Sequence, residues 1–216
     1  MSLPLFYYPT TFLMVDDEKI FQDALISQFS KERGIKSFQD ANKCVDFLKH
    51  YKSVLCNKDF LYAASEDEKD DLLHSNGVTI NLNALMTLLN NPKRYEDISV
   101  AILDYHMPQM DGLTLAKHFP KESIQKILLT GNATESDTIK GFNDGLINRF
   151  VQKGQEDTFK KLSRYVQDLE RRYFEEHSKA LLAYLEVPHK LPASDPVFID
   201  FFESFIEDND IIYSND

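Results

Sequence analysis

The run Val100-Ala-Ile-Leu103, ending on Asp104, constrains the fold more than any other stretch of this chain. Consecutive apolar residues leave no polar face, so the segment suits a strand covered on both sides, as in parallel sheets. The run stops on a carboxylate, and Tyr105-His-Met-Pro108-Gln-Met-Asp111-Gly112 turns the chain at once. In open α/β sheets the crevice at the carboxyl ends of the strands is where ligands bind. Asp104 is therefore a candidate for chemistry, with a turn or helix-capping role as the ordinary alternative.

Three other runs end in the same manner. Thr11-Phe-Leu-Met-Val15 leads into Asp16-Asp17, Lys126-Ile-Leu-Leu-Thr130 ends on a hydroxyl, and Arg149-Phe-Val-Gln-Lys153 ends on an amine followed by Gly154. Ile35 to Phe38 supplies a further short strand. Helices are predicted between the strands: Ile20, Phe21, Ala24, Leu25 and Phe29 share one helical face, Ala41 to Tyr51 follows, and others lie near Leu113 to Phe119 and Ser136 to Gly145. Five strands alternating with five helices predict an α/β fold, a doubly wound parallel sheet with right-handed crossovers. One edge of that sheet then carries two adjacent acids, a third acid, a hydroxyl and an amine.

Carboxylates gathered in one crevice repel one another, and burying them unpaired is costly. A hard divalent cation such as Mg²⁺, which favours oxygen ligands, relieves both problems. With the Lys153 amine it could neutralise the oxygens of a transferring phosphoryl group while a carboxylate attacks in line. A Thr130 hydroxyl would donate a hydrogen bond to the same group.

These residues resemble the receiver domain of bacterial two-component response regulators, the CheY-like superfamily. The resemblance rests on Asp16-Asp17 after the first strand, on Asp104 with Met107-Pro108-x-Met110-Asp111-Gly112, and on Thr130 and Lys153. It implies a flavodoxin-like receiver fold in which Asp104 is phosphorylated by a histidine kinase or phosphotransfer protein. It further implies that Asp17, Asp104 and the backbone carbonyl of His106 ligate Mg²⁺, with Asp16 acting through metal-bound water. Thr130 would be the switch hydroxyl, Lys153 the phosphoryl-pairing amine, and Phe150 the rotating aromatic. Gly154 departs from the proline common after that lysine, and Phe150 lacks the hydroxyl of a tyrosine, so its switching is a packing event.

A different class, an aspartyl-phosphate phosphatase of the haloacid-dehalogenase type, needs an acid two residues after its nucleophile; His106 holds that place. A degenerate receiver acting without phosphorylation is a further alternative, opposed by the full set of site residues. The implied protein is thus a signalling phosphoprotein rather than an enzyme in its own right.

The chain has 216 residues, 43% of them apolar, enough for one substantial core with appendages. Its 24 basic and 35 acidic residues give a formal charge of −11, which weighs against an attached DNA-binding surface. A secretory signal and a membrane-spanning run are not expected, and Cys44 and Cys56 read as reduced thiols, so a cytoplasmic setting follows. The implied partners are a kinase or phosphotransfer protein, an unidentified downstream protein and a second copy of the chain.

The receiver domain is assigned to residues 1–165, with an insertion at about 52–97 relative to the family pattern. That insertion is expected to be α-helical, with Asn81 to Asn90 carrying leucines and Met86 at helical spacing, and Glu66 to Asp71 as a solvated charge run. Residues 166–216 are expected to form a helical C-terminal extension. Asp157 to Glu186 contains neither Pro nor Gly and would make a helix of about 45 Å. Its Leu162, Val166, Leu169 and Tyr173 have coiled-coil spacing, although Phe159, Leu162 and Val166 suit equally a helix lying on the sheet. Beyond Pro188, Asp195-Pro196 is predicted to start a helix on which Phe198, Phe201, Phe202 and Phe205 would make an aromatic stripe. Asn132-Ala-Thr134 and Asp208-Asn-Asp210 resemble a glycosylation sequon and a calcium loop, but neither has the context it needs.

Overall fold

The strand-ending runs build one sheet. In chain order the elements are β1 (Thr11–Val15), α1 (Lys19–Phe29), β2 (Ile35–Phe38), α2 (Ala41–His50), β3 (Leu61–Ala63), β4 (Leu72–Ser75), β5 (Val78–Asn81), β6 (Ile98–Asp104), α3 (Gly112–Ala116), β7 (Gln125–Thr130), β8 (Arg149–Gln152) and α4 (Thr158–Tyr184). This computed structural model describes residues 7–29, 33–55, 61–63, 72–75, 78–81, 86–87, 90–120, 124–131 and 141–184. The chain divides into two compact units, residues 10–52 with 96–173, and residues 1–9 with 53–95 and 174–216.

In the first of these units, five strands pair in the order β2-β1-β6-β7-β8, every pair parallel. The sequence pattern explains why both faces are covered. Along β1, Leu13 and Val15 join one core with Ala101 and Leu103 of β6 and Leu128 of β7. Phe12 and Met14 join the opposite core with Val100, Ile102, Ile127 and Leu129. Successive side chains on a strand point to opposite faces, so a continuous apolar run feeds two cores at once. Helix α2 (Ala41, Cys44, Leu48) and α3 (Leu115, Ala116) cover the first face, while α1 (Leu25) and α4 (Leu162, Val166, Leu169) cover the second. The register slips once, between Thr11 and Phe12, so that Thr11 faces Ile98 and Phe12 faces Val100.

The two readings of the Leu162–Tyr173 seam are thereby resolved. Leu162, Val166, Leu169 and Tyr173 are all buried, at 0, 1, 1 and 0% exposure, and the first three belong to the sheet's own core. The spacing is that of a helix on a sheet. Helix α4 is also fastened by charge: the buried Glu170 accepts bonds from Thr10 N (3.1 Å) and Thr10 Oγ1 (2.5 Å) and pairs with Arg33. Thr10 Oγ1 lies 2.5 Å from Ser99 Oγ as well, drawing the start of β1 and β6 into the same network.

The face of α1 differs from expectation. Ile20 is 81% exposed and Ala24 is exposed, whereas Gln22 and Leu25 are buried, with Phe21 and Phe29 packed partly against the core. The helix is rotated so that a polar residue enters the interior.

The insertion is not simply helical. In the second unit β3, β5 and β4 form an antiparallel sheet in that order, with Leu61 opposite Ile80 and Leu73 opposite Ile80 on the other side. Val78-Thr-Ile-Asn81 alternates apolar and polar residues with β-branched side chains, a strand pattern that the neighbouring leucines obscure. Within the expected Asn81–Asn90 helix, Met86 and Thr87 are helical and Asn90 N donates to Met86 O. In the same unit Tyr8 packs edge-on against Phe174 at 4.8 Å and lies under the Arg94 guanidinium at 5.1 Å.

The Glu66–Asp71 charge run, Cys56, the Asn132 sequon, the first half of the expected Ser136–Gly145 helix and everything beyond Tyr184, the aromatic stripe included, lie outside the described residues. Among the described residues no helix is long and apolar enough to cross a membrane.

Candidate functional site

The sheet's strand order sets the location of the site. From β1 the chain moves to β2 on one side and later returns through β6 on the other, so the carboxyl ends of β1 and β6 border a crevice. Asp16 follows β1 directly and Asp104 is the last residue of β6; both are buried, at 0 and 5% exposure. Asp17 is exposed beside them.

Lys153, one residue past β8, reaches across this crevice. Its Nζ lies 2.7 Å from Asp16 Oδ2 and 3.0 Å from Asp104 Oδ2. Lys153 N donates to Thr130 O at 2.8 Å, which fixes the lysine's starting point at the end of β7. Its ammonium also sits 4.9 Å above the Phe21 ring, which stacks on Phe159 of α4 with centroids 5.6 Å apart. Gly154 follows with φ at +79°, a left-handed turn that suits glycine where proline could not stand. Thr158 Oγ1 then donates to Gln152 O at 2.9 Å and starts α4.

The loop after β6 is held by its own chemistry. Tyr105 N donates to Leu129 O at 2.7 Å, and Gly112 N returns to Tyr105 O at 3.0 Å. Asp111 caps α3, accepting from Thr114 N at 2.7 Å and Thr114 Oγ1 at 2.9 Å. A side chain at Gly112 would place its Cβ 2.4 Å from Asp104 O and 2.9 Å from Leu128 Cδ1. Glycine is thus required there for the loop to close on the phosphoacceptor candidate's own backbone.

The electrostatics follow from burial. Removal from water pushes the carboxyls of both Asp16 and Asp104 above the ordinary value of 3.8; the lysine counteracts this without cancelling it. For Lys153, burial is the largest single influence and pulls downward, but its bonds to Asp16 and Asp104 outweigh it and leave the amine above 10.5. Two buried acids sharing one ammonium are short of positive charge.

That shortage fits a divalent cation. Asp16, Asp17 and Asp104 each offer a carboxylate oxygen within 4.8 Å of the others, an all-oxygen donor set suited to a hard ion. Thr130 is fully buried at the end of β7, and Phe150 is half-buried on β8 at the register position of Leu128. His106 is exposed, its ring against Tyr105. The structure therefore brings Asp16, Asp17, Asp104 and Lys153 together, with Thr130 at the same sheet edge.

Two neighbours of the site were not read as such from the sequence: Phe21, placed there only on a helical face, and Gln22, not singled out at all. The amide of Gln22 donates to Asp16 O at 2.6 Å and to Phe38 O at 2.8 Å. The signal was present: Gln22 lies three residues before the buried Leu25, on its face of the helix.

Neither a family model nor a curated protein matches the chain. Solved structures do. The response regulator LqsR of Legionella pneumophila aligns with all of this chain at 27% identity and a TM-score of 0.74. The chain spans 62% of that protein's length. The signal receiver domain of a putative Luxo repressor protein from Vibrio parahaemolyticus aligns with 78% of this chain and 95% of its own, at 12% identity and a TM-score of 0.51, a likeness of fold alone.

Proposed function

We propose that this chain, whose fold is that of response regulator receiver domains, is a phosphoacceptor of a two-component relay. The observation that carries the reading is the position of Lys153 Nζ, within 3.0 Å of both Asp16 and Asp104 at the carboxyl edge of the sheet.

In this reading a carboxylate oxygen of Asp104 attacks the phosphorus of a phosphohistidine on a kinase or phosphotransfer protein. The nitrogen–phosphorus bond breaks, its electron pair returns to the imidazole, and an acyl phosphate forms. Lys153 pairs with the transferring oxygens, an arrangement that stabilises charge where it develops. Thr130 donates its hydroxyl to the phosphoryl group once that group is in place, and Phe150 repacks into the space vacated. Asp16, Asp17 and Asp104, with the His106 carbonyl, would hold Mg²⁺. When bound, Mg²⁺ supplies the positive charge that the acids and the incoming phosphoryl oxygens together demand.

The chain assists its own phosphorylation and dephosphorylation and is a signalling protein rather than an enzyme with a separate substrate. A cytoplasmic setting, association with a downstream protein or a second copy, and no contact with DNA complete the reading.

The test is intact mass after incubation with a small phosphodonor and Mg²⁺. Wild type gains one phosphoryl group, while Asp104→Asn and wild type in chelator do not. Equal labelling of wild type and Asp104→Asn would overturn the assignment.

A further inference from the structure

The interior-facing glutamine of α1 is the least ordinary feature near the site. Gln22 is 4% exposed, and a buried amide is costly unless its donors are satisfied. Both bonds of its Nε2 go to backbone carbonyls at strand ends, Asp16 O at 2.6 Å and Phe38 O at 2.8 Å. Phe38 O also accepts from Asp16 N at 3.1 Å, so one amide closes a small circuit between the ends of β1 and β2. Simple packing of α1 would be served as well by the apolar residue that the helix instead turns outward, Ile20, which is 81% exposed.

The carbonyl that Gln22 grips belongs to the peptide joining Asp16 to Asp17. Fixing that oxygen fixes the peptide plane, and with it the direction in which Asp17 leaves the strand. Asp16 is further restrained by Glu18 N, which donates to its Oδ1 at 2.9 Å, and by Lys153. Asp17 is the exposed member of the acidic group, and the grip on the peptide before it orders its backbone.

We infer that Gln22 is a positioning residue for cation binding, holding the Asp16–Asp17 peptide so that both carboxylates converge with Asp104. The inference rests on the proposed function, in that the acidic group is taken as a divalent-cation site. Gln22 touches neither the cation nor the phosphoryl group; it acts through the peptide. Losing a partner of this outer kind typically weakens metal binding by about 10- to 100-fold.

The experiment titrates the full chain with Mn²⁺ alone, followed by the paramagnetic resonance of the free ion. Variants are Gln22→Met, which keeps the volume and removes the donors, and Leu25→Val, which loosens the same helix without touching the loop. We expect Gln22→Met to bind Mn²⁺ about 10-fold more weakly or worse, and Leu25→Val to bind like wild type. A second measurement needs no variant: in wild type, the side-chain amide protons of Gln22 shift on Mg²⁺ addition, with the midpoint of the backbone amides of Asp16 and Asp17. Wild-type affinity in Gln22→Met, an equal loss in Leu25→Val, or unmoved Gln22 amide protons would overturn the positioning role. Failure of wild type itself to bind Mn²⁺ would overturn the cation site, and is read separately from the variants.

Discussion

Lys153 is asked to neutralise more than one charge, and its loss has consequences beyond the proposed phosphoryl transfer. Removing a charged partner from buried carboxylates forfeits hydrogen bonds worth about 1.5–3 kcal/mol each to the native state, limited by protonation of the acids left behind. Lys153→Met is therefore expected to melt lower than wild type without metal, by thermal unfolding. It should also accept phosphoryl groups on the order of 10²-fold more slowly. The acids themselves predict a pH dependence. Asp16 and Asp104 have folded-state values above 3.8, so the native chain holds their protons more tightly than the unfolded chain. Their contribution is fully present below that value and is lost as pH rises through the raised values. Metal-free wild type should lose stability as pH rises above 3.8 and these groups ionise, and Asp104→Asn should show a shallower decline. The raised Lys153 value acts with the same sign, its contribution being lost only in the alkaline range above 10.5. A stability that rises with pH above 3.8 in wild type and not in the variant would contradict the burial of these acids.

Among the elements, the strands of the parallel sheet were legible because a run such as Phe12 to Val15 has no polar position to place toward water. Their terminal acids, hydroxyl and amine were legible for the same reason, since chemistry begins where the apolar run stops. The face of α1 was harder to read. Gln22 is inside and Ile20 outside because the glutamine has two carbonyls to satisfy, a tertiary demand that local hydrophobicity does not encode. The strands of the insertion were hidden for another reason. β3 spans only Leu61–Ala63 and meets its partner β5 (Val78–Asn81) past the β4 that intervenes in the chain, while the Asn76-Gly77 pair between β4 (Leu72–Ser75) and β5, a two-residue hairpin signal, was overlooked beside the leucines that follow. Helix α4 carries a test of its own. Leu162 is fully buried in the sheet's core, so Leu162→Ala should cost about 2–5 kcal/mol. That loss should be independent of protein concentration in thermal unfolding. A coiled-coil seam would instead give a melting point that falls on dilution.

For the whole molecule, a formal charge of −11 disfavours a polyanion as partner. No measurable affinity for duplex DNA is expected at moderate salt, as read by fluorescence anisotropy; binding with a steep salt dependence would contradict this. The proposed output is a change of association on phosphorylation. A phosphoryl group can bias two packings only if it interacts differently with each. Sedimentation with and without a beryllofluoride mimic, on the full chain and on one ending at Tyr184, locates the responsive region. A shift in the full chain that the shorter one lacks assigns output to residues beyond Tyr184. The same shift in both assigns it to the receiver fold, and no shift in either removes self-association from the reading.

The Glu170 fastening has a practical corollary for following such a change. The Thr10 amide donates to a carboxylate on α4 rather than to a neighbouring strand. Its hydrogen exchange therefore depends on the seating of that helix, whereas the amides of β1 and β6 depend on the sheet. A single resonance at Thr10 would thus act as a clock for lifting of α4, at the far end of β1 from Asp16. Its rate, compared before and after phosphorylation, would tell whether news of the event travels the length of the strand or stays at the edge where it began.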